Sequence, residues 1–108
     1  MRGMGNMGDM MKKAQKMQEE FLRMQEELKS KVVEASSGGG AVIVTANGAK
    51  QVLSVKIDPE MLSSGDVDML QDLVTAAVNE VLVRVQEMAE EETKKITGSM
   101  GLNLPGMF

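Results

Sequence analysis

Ala41-Val42-Ile43-Val44-Thr45-Ala46-Asn47-Gly48, followed by Val52-Leu53-Ser54-Val55-Lys56-Ile57, is the stretch on which the fold turns. β-Branched residues dominate both halves, and the Asn47-Gly48 pair between them is favoured in two-residue type I′ hairpin turns. In the second half Leu53, Val55 and Ile57 fall on one face, with Val52, Ser54 and Lys56 on the other. Upstream, Val32 and Val33 open another β-rich run, and Gly38-Gly39-Gly40 reads as the loop joining it to Ala41. Asp58-Pro59 closes the last run, because proline has no N–H for a strand ladder. These signals predict three antiparallel strands. So small a sheet has edges and an apolar face that need cover from helices or from a second subunit.

Both flanks of this centre read as helix. From Asp9, a natural N-cap, the residues Met10, Ala14, Met17, Phe21, Met24 and Leu28 recur at alternating steps of four and three. That is a heptad seam. No Gly, Pro or β-branched residue interrupts it over 9–29, and a helix of this length extends about 30 Å. Downstream, Glu60 to Gly65 reads as a turn or short helix, and Ser64 or Asp66 can cap a second long helix running to about Lys95. Leu70, Val74, Ala77, Val81, Val85 and Met88 line one face of it, widened by Leu73, Val78 and Leu82. The expected class is α+β, in the order α-β-β-β-α. Residues 1–8 read as a flexible Gly/Met leader, 9–96 as a single domain and 97–108 as a flexible tail.

The composition narrows the chemistry. The 108 residues include twelve Met and two Phe but no Cys, His, Trp or Tyr. Thiolate nucleophiles, imidazole bases and ordinary zinc sites are therefore excluded. No apolar run approaches the roughly 20 residues of a membrane span. The net charge is −4, which by itself opposes nucleic-acid binding. It is unevenly spread, however. Residues 1–31 hold seven bases against five acids, whereas 58–92 hold ten acids against Arg84.

Met11–Gln18, Asn47-Gly48, Ile57–Leu62 and Leu70–Asn79 together resemble the YbaB/EbfC family. Met11-Lys12-Lys13-Ala14-Gln15-Lys16-Met17-Gln18 is similar to its opening helix, and Asn47-Gly48 stands at its hairpin turn. Ile57-Asp58-Pro59-Glu60-Met61-Leu62 resembles its strand-to-helix junction. Leu70-Gln71-Asp72-Leu73-Val74-Thr75-Ala76-Ala77-Val78-Asn79 resembles the start of its last helix. The Gly-rich beginning and Leu104-Pro105-Gly106 fit too, so the resemblance spans nearly the whole chain. It implies a tweezer-like homodimer of α-β-β-β-α subunits, in which the sheets build the dimer and paired helices project as prongs. It further implies a nucleoid-associated protein of the bacterial cytoplasm that binds double-stranded DNA and contributes to nucleoid organisation and gene regulation. No catalysis, cofactor, metal or small-molecule substrate follows from it.

Carried over by position, Lys12, Lys13 and Lys16 are the leading phosphate contacts; Arg23, Lys94 and Lys95, outside the matching stretches, are further candidates. Val42, Val44, Leu53, Val55, Ile57, Met17, Phe21 and Met24 are assigned to dimerisation or packing. The last helix departs from a basic character: Glu87, Glu90, Glu91 and Glu92 precede Lys94 and Lys95. Read without the family, Lys12, Lys13 and Lys16 make a solvated helix face opposite Glu19 and Glu20, and the Met seam reads as packing. Gly38-Gly39-Gly40 lacks the Gly-Lys-Ser/Thr of a nucleotide loop. Asp66, Asp68 and Asp72 lack EF-hand spacing and suit a helix N-terminus. Asp58 and Glu60 have no partner that would make them a catalytic pair, and Asp58 suits a turn. The rival function is a dimeric protein-interaction or chaperone-like module that does not itself bind DNA.

Overall fold

In a computed structural model, which describes residues 2–99 with side chains from Met7 to Gly98, the chain forms two long helices and a three-stranded sheet. Helix α1 spans Arg2–Ser30, β1 Val32–Ser37, β2 Val42–Asn47, β3 Val52–Ile57, α2 Pro59–Ser63 and α3 Val67–Ser99. The described residues extend 77 × 25 × 16 Å.

The strands lie in the order β1-β2-β3, both pairs antiparallel. Gly38, Gly39 and Gly40 join the first two, all with positive φ (60°, 67° and 96°). That backbone region costs other residues a clash at Cβ, which accounts for the glycine run. The Asn47-Gly48 hairpin exists, but it is not the expected two-residue turn. Lys50 N–H donates to Asn47 O at 3.0 Å and Asn47 N–H to Gln51 O at 3.0 Å. The loop is therefore three residues long, Gly48 to Lys50, with Lys50 in the left-handed region at φ 63°. Asn47 holds it from inside: its Oδ1 accepts from the N–H groups of Ala49 and Gln51. The register then slips between Thr45 and Ala46. Val52 pairs with Ala46, so it lies on the α3 side of the sheet, contrary to the plain alternation read from the sequence. Leu53 is the unmatched residue of this bulge.

Helix α3 covers one face of the sheet. Ala77, Val81 and Val85 are buried against Ala35 of β1 and Val42, Val44 and Ala46 of β2, with Leu70, Leu73, Val74, Val78 and Leu82 packed around them. Small residues on both sides bring helix and sheet close, and each fully buried valine contributes about 1.5–3 kcal/mol. Two aspartates start the C-terminal helices. Asp58 Oδ1 accepts from Glu60 N–H at 3.0 Å, with Pro59 in the first turn of α2, and Asp66 Oδ1 accepts from Met69 N–H at 3.0 Å at the start of α3.

The two long helices differ at their ends from the sequence reading. Helix α1 starts at Arg2 rather than at Asp9, which is exposed within it. Each glycine in a helix interior costs about 1 kcal/mol relative to alanine, a local cost that propagation from an established helix can absorb. The segment read as leader thus continues the helix. Helix α3 outruns Lys95 to Ser99, so the tail boundary at 97 falls inside a helix. Residues 100–108 lie outside the described residues.

Candidate nucleic-acid interface

The candidate interface is built from the way α1 and α3 meet. They run antiparallel away from the sheet, and burial declines along the seam. Leu28 is buried, Met24, Phe21 and Met17 are half-buried, and Ala14 and Met10 are exposed. Thr93 Oγ1 donates to Met24 Sδ at 3.7 Å, which sets residue 93 of α3 beside residue 24 of α1. Six residues further on, at about 1.5 Å rise per residue, α3 reaches its described end near the level of Gln18. Residues before about 17 of α1, the arm, therefore lie past the described end of α3.

The C-terminal end of α1 is fixed by one glycine. Gly48 N–H donates to Leu28 O at 2.8 Å and to Lys31 O at 3.1 Å. A Cβ at position 48 would run into the Leu28 carbonyl oxygen and lie 2.6 Å from Leu28 Cβ. Glycine is needed there for close approach, not for positive φ. An ion pair braces the same junction. Glu92 accepts from Lys31 Nζ at 3.1 Å and from Lys95 Nζ at 3.3 Å. The hydrogen bond from Lys31, then that from Lys95, holds its carboxyl below the ordinary glutamate range.

Most cations are already engaged. Arg23 pairs with Glu20, Lys29 with Glu26 and Arg84 with Glu80. Arg84 also donates to the Glu34 carbonyl of edge strand β1 at 2.8 Å, and Lys50 donates to Gln86. Among the described residues, Lys12, Lys13, Lys16 and Lys56 have no ion pair or hydrogen bond from their side chains. Three of these four stand together on the arm, where residues 10–18 carry no acid. The solvated-face reading expected Glu19 and Glu20 to answer them, but Glu20 turns to Arg23.

The other sequence-assigned residues divide. Arg23 lies one position from Met24, and Lys94 and Lys95 directly follow Thr93, so all three fall at one level of the helix pair, about 10 Å from Lys16 by helical rise. Both Arg23 and Lys95 share their charge with a glutamate. Val42 and Val44 are fully buried beneath α3, and Ile57 is half-buried. Leu53 and Val55 are 52% and 43% exposed, because α3 lies over β1 and β2 and leaves β3 uncovered. Lys56 lies on the polar side of β3, paired with Ile43. An open groove of about 680 Å³ runs beside Leu82 and Val83, bordered by Lys50, Gln86, Glu87 and Glu90. Among the described residues no three His, Cys, Asp or Glu side chains converge as a metal set, and no helix is long and apolar enough to cross a membrane.

This arrangement has known relatives. Residues 4–100 match the YbaB/EbfC DNA-binding family. A nucleoid-associated protein of Pelotomaculum thermopropionicum is 51% identical over 104 residues, covering 96% of this chain and 97% of that protein. Another from Acetivibrio thermocellus is 53% identical, covering 96% of this chain and 91% of its own length. Among solved structures, an uncharacterised Helicobacter pylori protein superposes with a TM-score of 0.63 at 28% identity, covering 72% of this chain and 90% of that one.

Proposed function

The chain belongs to the YbaB/EbfC DNA-binding family, and on that premise we propose that it is a nucleoid-associated protein whose arm grips duplex DNA by its phosphates. The observation that carries this reading is the cluster of unpaired lysines, Lys12, Lys13 and Lys16, on an arm stretch without acids. By helical geometry they occupy an arc of about 100°, and an ammonium group there can reach a phosphate without first breaking an ion pair. Arg23, Lys94 and Lys95 form a second, weaker level, partly offset by Glu20 and Glu92.

Phosphate contacts position a protein without reading bases, so sequence preference is weak. A nucleoid location and a contribution to DNA organisation and gene regulation go with such binding. Two copies join through β3, where Leu53 and Val55 are exposed at an uncovered sheet edge. The homodimer then presents two arms, and paired weak contacts gain from effective concentration. The acidic side of α3 turns away from the duplex. No catalytic step is assigned.

Fluorescence anisotropy of a labelled mixed-sequence duplex, titrated at several salt concentrations, tests the reading. Log K should fall by about 0.9 per phosphate contact per decade of salt, and Lys12→Glu/Lys13→Glu/Lys16→Glu should abolish binding. If the wild type ignores DNA even at low salt, the acidic balance prevails and the arms hold a protein client instead.

A further inference from the structure

The arm has a second face that DNA binding does not use. At 100° per residue, Met7, Met10, Met11 and Ala14 share an arc of about 100° on the side of α1 opposite Lys12, Lys13 and Lys16. Met7, Met10 and Met11 are 64%, 69% and 64% exposed. Of the other described methionines Met69 is less exposed, at 42%, Met17, Met24, Met61 and Met88 are half-buried, and the sulfur of Met24 also accepts a hydrogen bond from the Thr93 hydroxyl. With no Cys, His, Trp or Tyr in the chain, thioether sulfur is its readily oxidised group.

We propose that Met7, Met10 and Met11 form a reversible oxidation site that loosens the arm tip and thereby weakens its grip on DNA. Hydrogen peroxide is the oxidant. A sulfur lone pair attacks one peroxide oxygen, the S–O bond forms and the O–O bond breaks. The thioether becomes a sulfoxide and the peroxide is reduced to water. A dithiol reductant reverses the step: the oxygen leaves as water and the dithiol becomes a disulfide.

Oxidation turns a flexible apolar side chain into a polar one without changing charge. It falls on helical turns that already contain Gly8, a poor helix former. Loosening these turns removes the fixed spacing of Lys12 and Lys13, so more order must be recovered on binding. The effect on affinity rests on the DNA-binding reading; the oxidation site itself does not.

The test is graded peroxide treatment of the full chain, with tandem mass spectrometry locating each added oxygen, circular dichroism following helicity, and anisotropy following duplex binding. Oxygen should appear at Met7, Met10 and Met11 before Met17, Met24, Met61 and Met88. Helicity and affinity should fall together and return after enzymatic sulfoxide reduction. Met7→Leu/Met10→Leu/Met11→Leu keeps the apolar face and should bind DNA as the wild type does, but resist peroxide. Equal oxidation of the half-buried methionines overturns the site. Selective oxidation with unchanged helicity overturns the loosening. If untreated protein does not bind the duplex, the DNA-binding reading falls, and oxidation order with helicity still decides whether the tip is the site.

Discussion

Asn47 and Gly48 show how one dipeptide can be right as a signal and different in its cause. The pair marks the hairpin, yet Gly48 does not use glycine's positive φ. It lets the β2–β3 loop touch the end of α1, where its N–H satisfies two carbonyls. Gly48→Ala should therefore destabilise the fold by about 1–3 kcal/mol, in the range of an overpacked contact, and the loss would be read as a lower midpoint in urea. Glu92 makes a second prediction at this scale. Its folded pKa lies below the ordinary value of 4.5, so its contribution to stability is present above that pH and is lost as pH falls through the depressed value. Glu92→Gln should lower stability at neutral pH and flatten the acid side of the stability profile. Lys31 and Lys95 are 42% and 72% exposed, so the change should stay under about 1 kcal/mol.

Helix α1 is one element with two environments. Its C-terminal half buries the heptad seam against α3, whereas its outer part carries the unpaired lysines. Substitutions in the two halves should separate stability from binding. Phe21→Ala should cost up to about 3 kcal/mol, the lower end for buried aromatics because Phe21 is half-buried, and thermal unfolding would show it. Lys12→Ala/Lys13→Ala should leave the melting temperature nearly unchanged and reduce the salt slope of DNA binding by about 0.9 for each phosphate that is no longer neutralised. The lysines were legible as phosphate contacts only through the family resemblance, since the helical pattern alone makes them a solvated face. Their lack of partners was not legible, since Glu19 and Glu20 stand at permissible helical spacings and only the structure shows Glu20 committed to Arg23.

For the whole molecule the decisive asymmetry is that one helix covers two strands of three. Val55 stays 43% exposed although its ladder partner Val44 is fully buried. An apolar sheet edge of this kind invites pairing with another chain. Leu53→Asp/Val55→Asp should give a folded monomer by sedimentation. It should also weaken DNA binding beyond the removal of one arm, because the second arm no longer binds at high effective concentration. A wild type that sediments as a monomer at micromolar concentration would remove the two-armed arrangement.

Periodicity and turn chemistry by themselves determined the element order, the α3 core face from Leu70 to Met88 and the heptad seam. These depend on local spacing and backbone propensity, which neighbouring residues carry. The tertiary structure alone decided the three-residue loop at Gly48, the bulge at Leu53, the uncovered state of β3 and which cations are engaged. Each of these depends on how separate elements meet: Gly48 with Leu28, Ala46 with Val52, β2 with α3, and Lys31 with Glu92. A sequence pattern states which side chains can face a partner. Steric fit and competition among nearby charges determine which of them do.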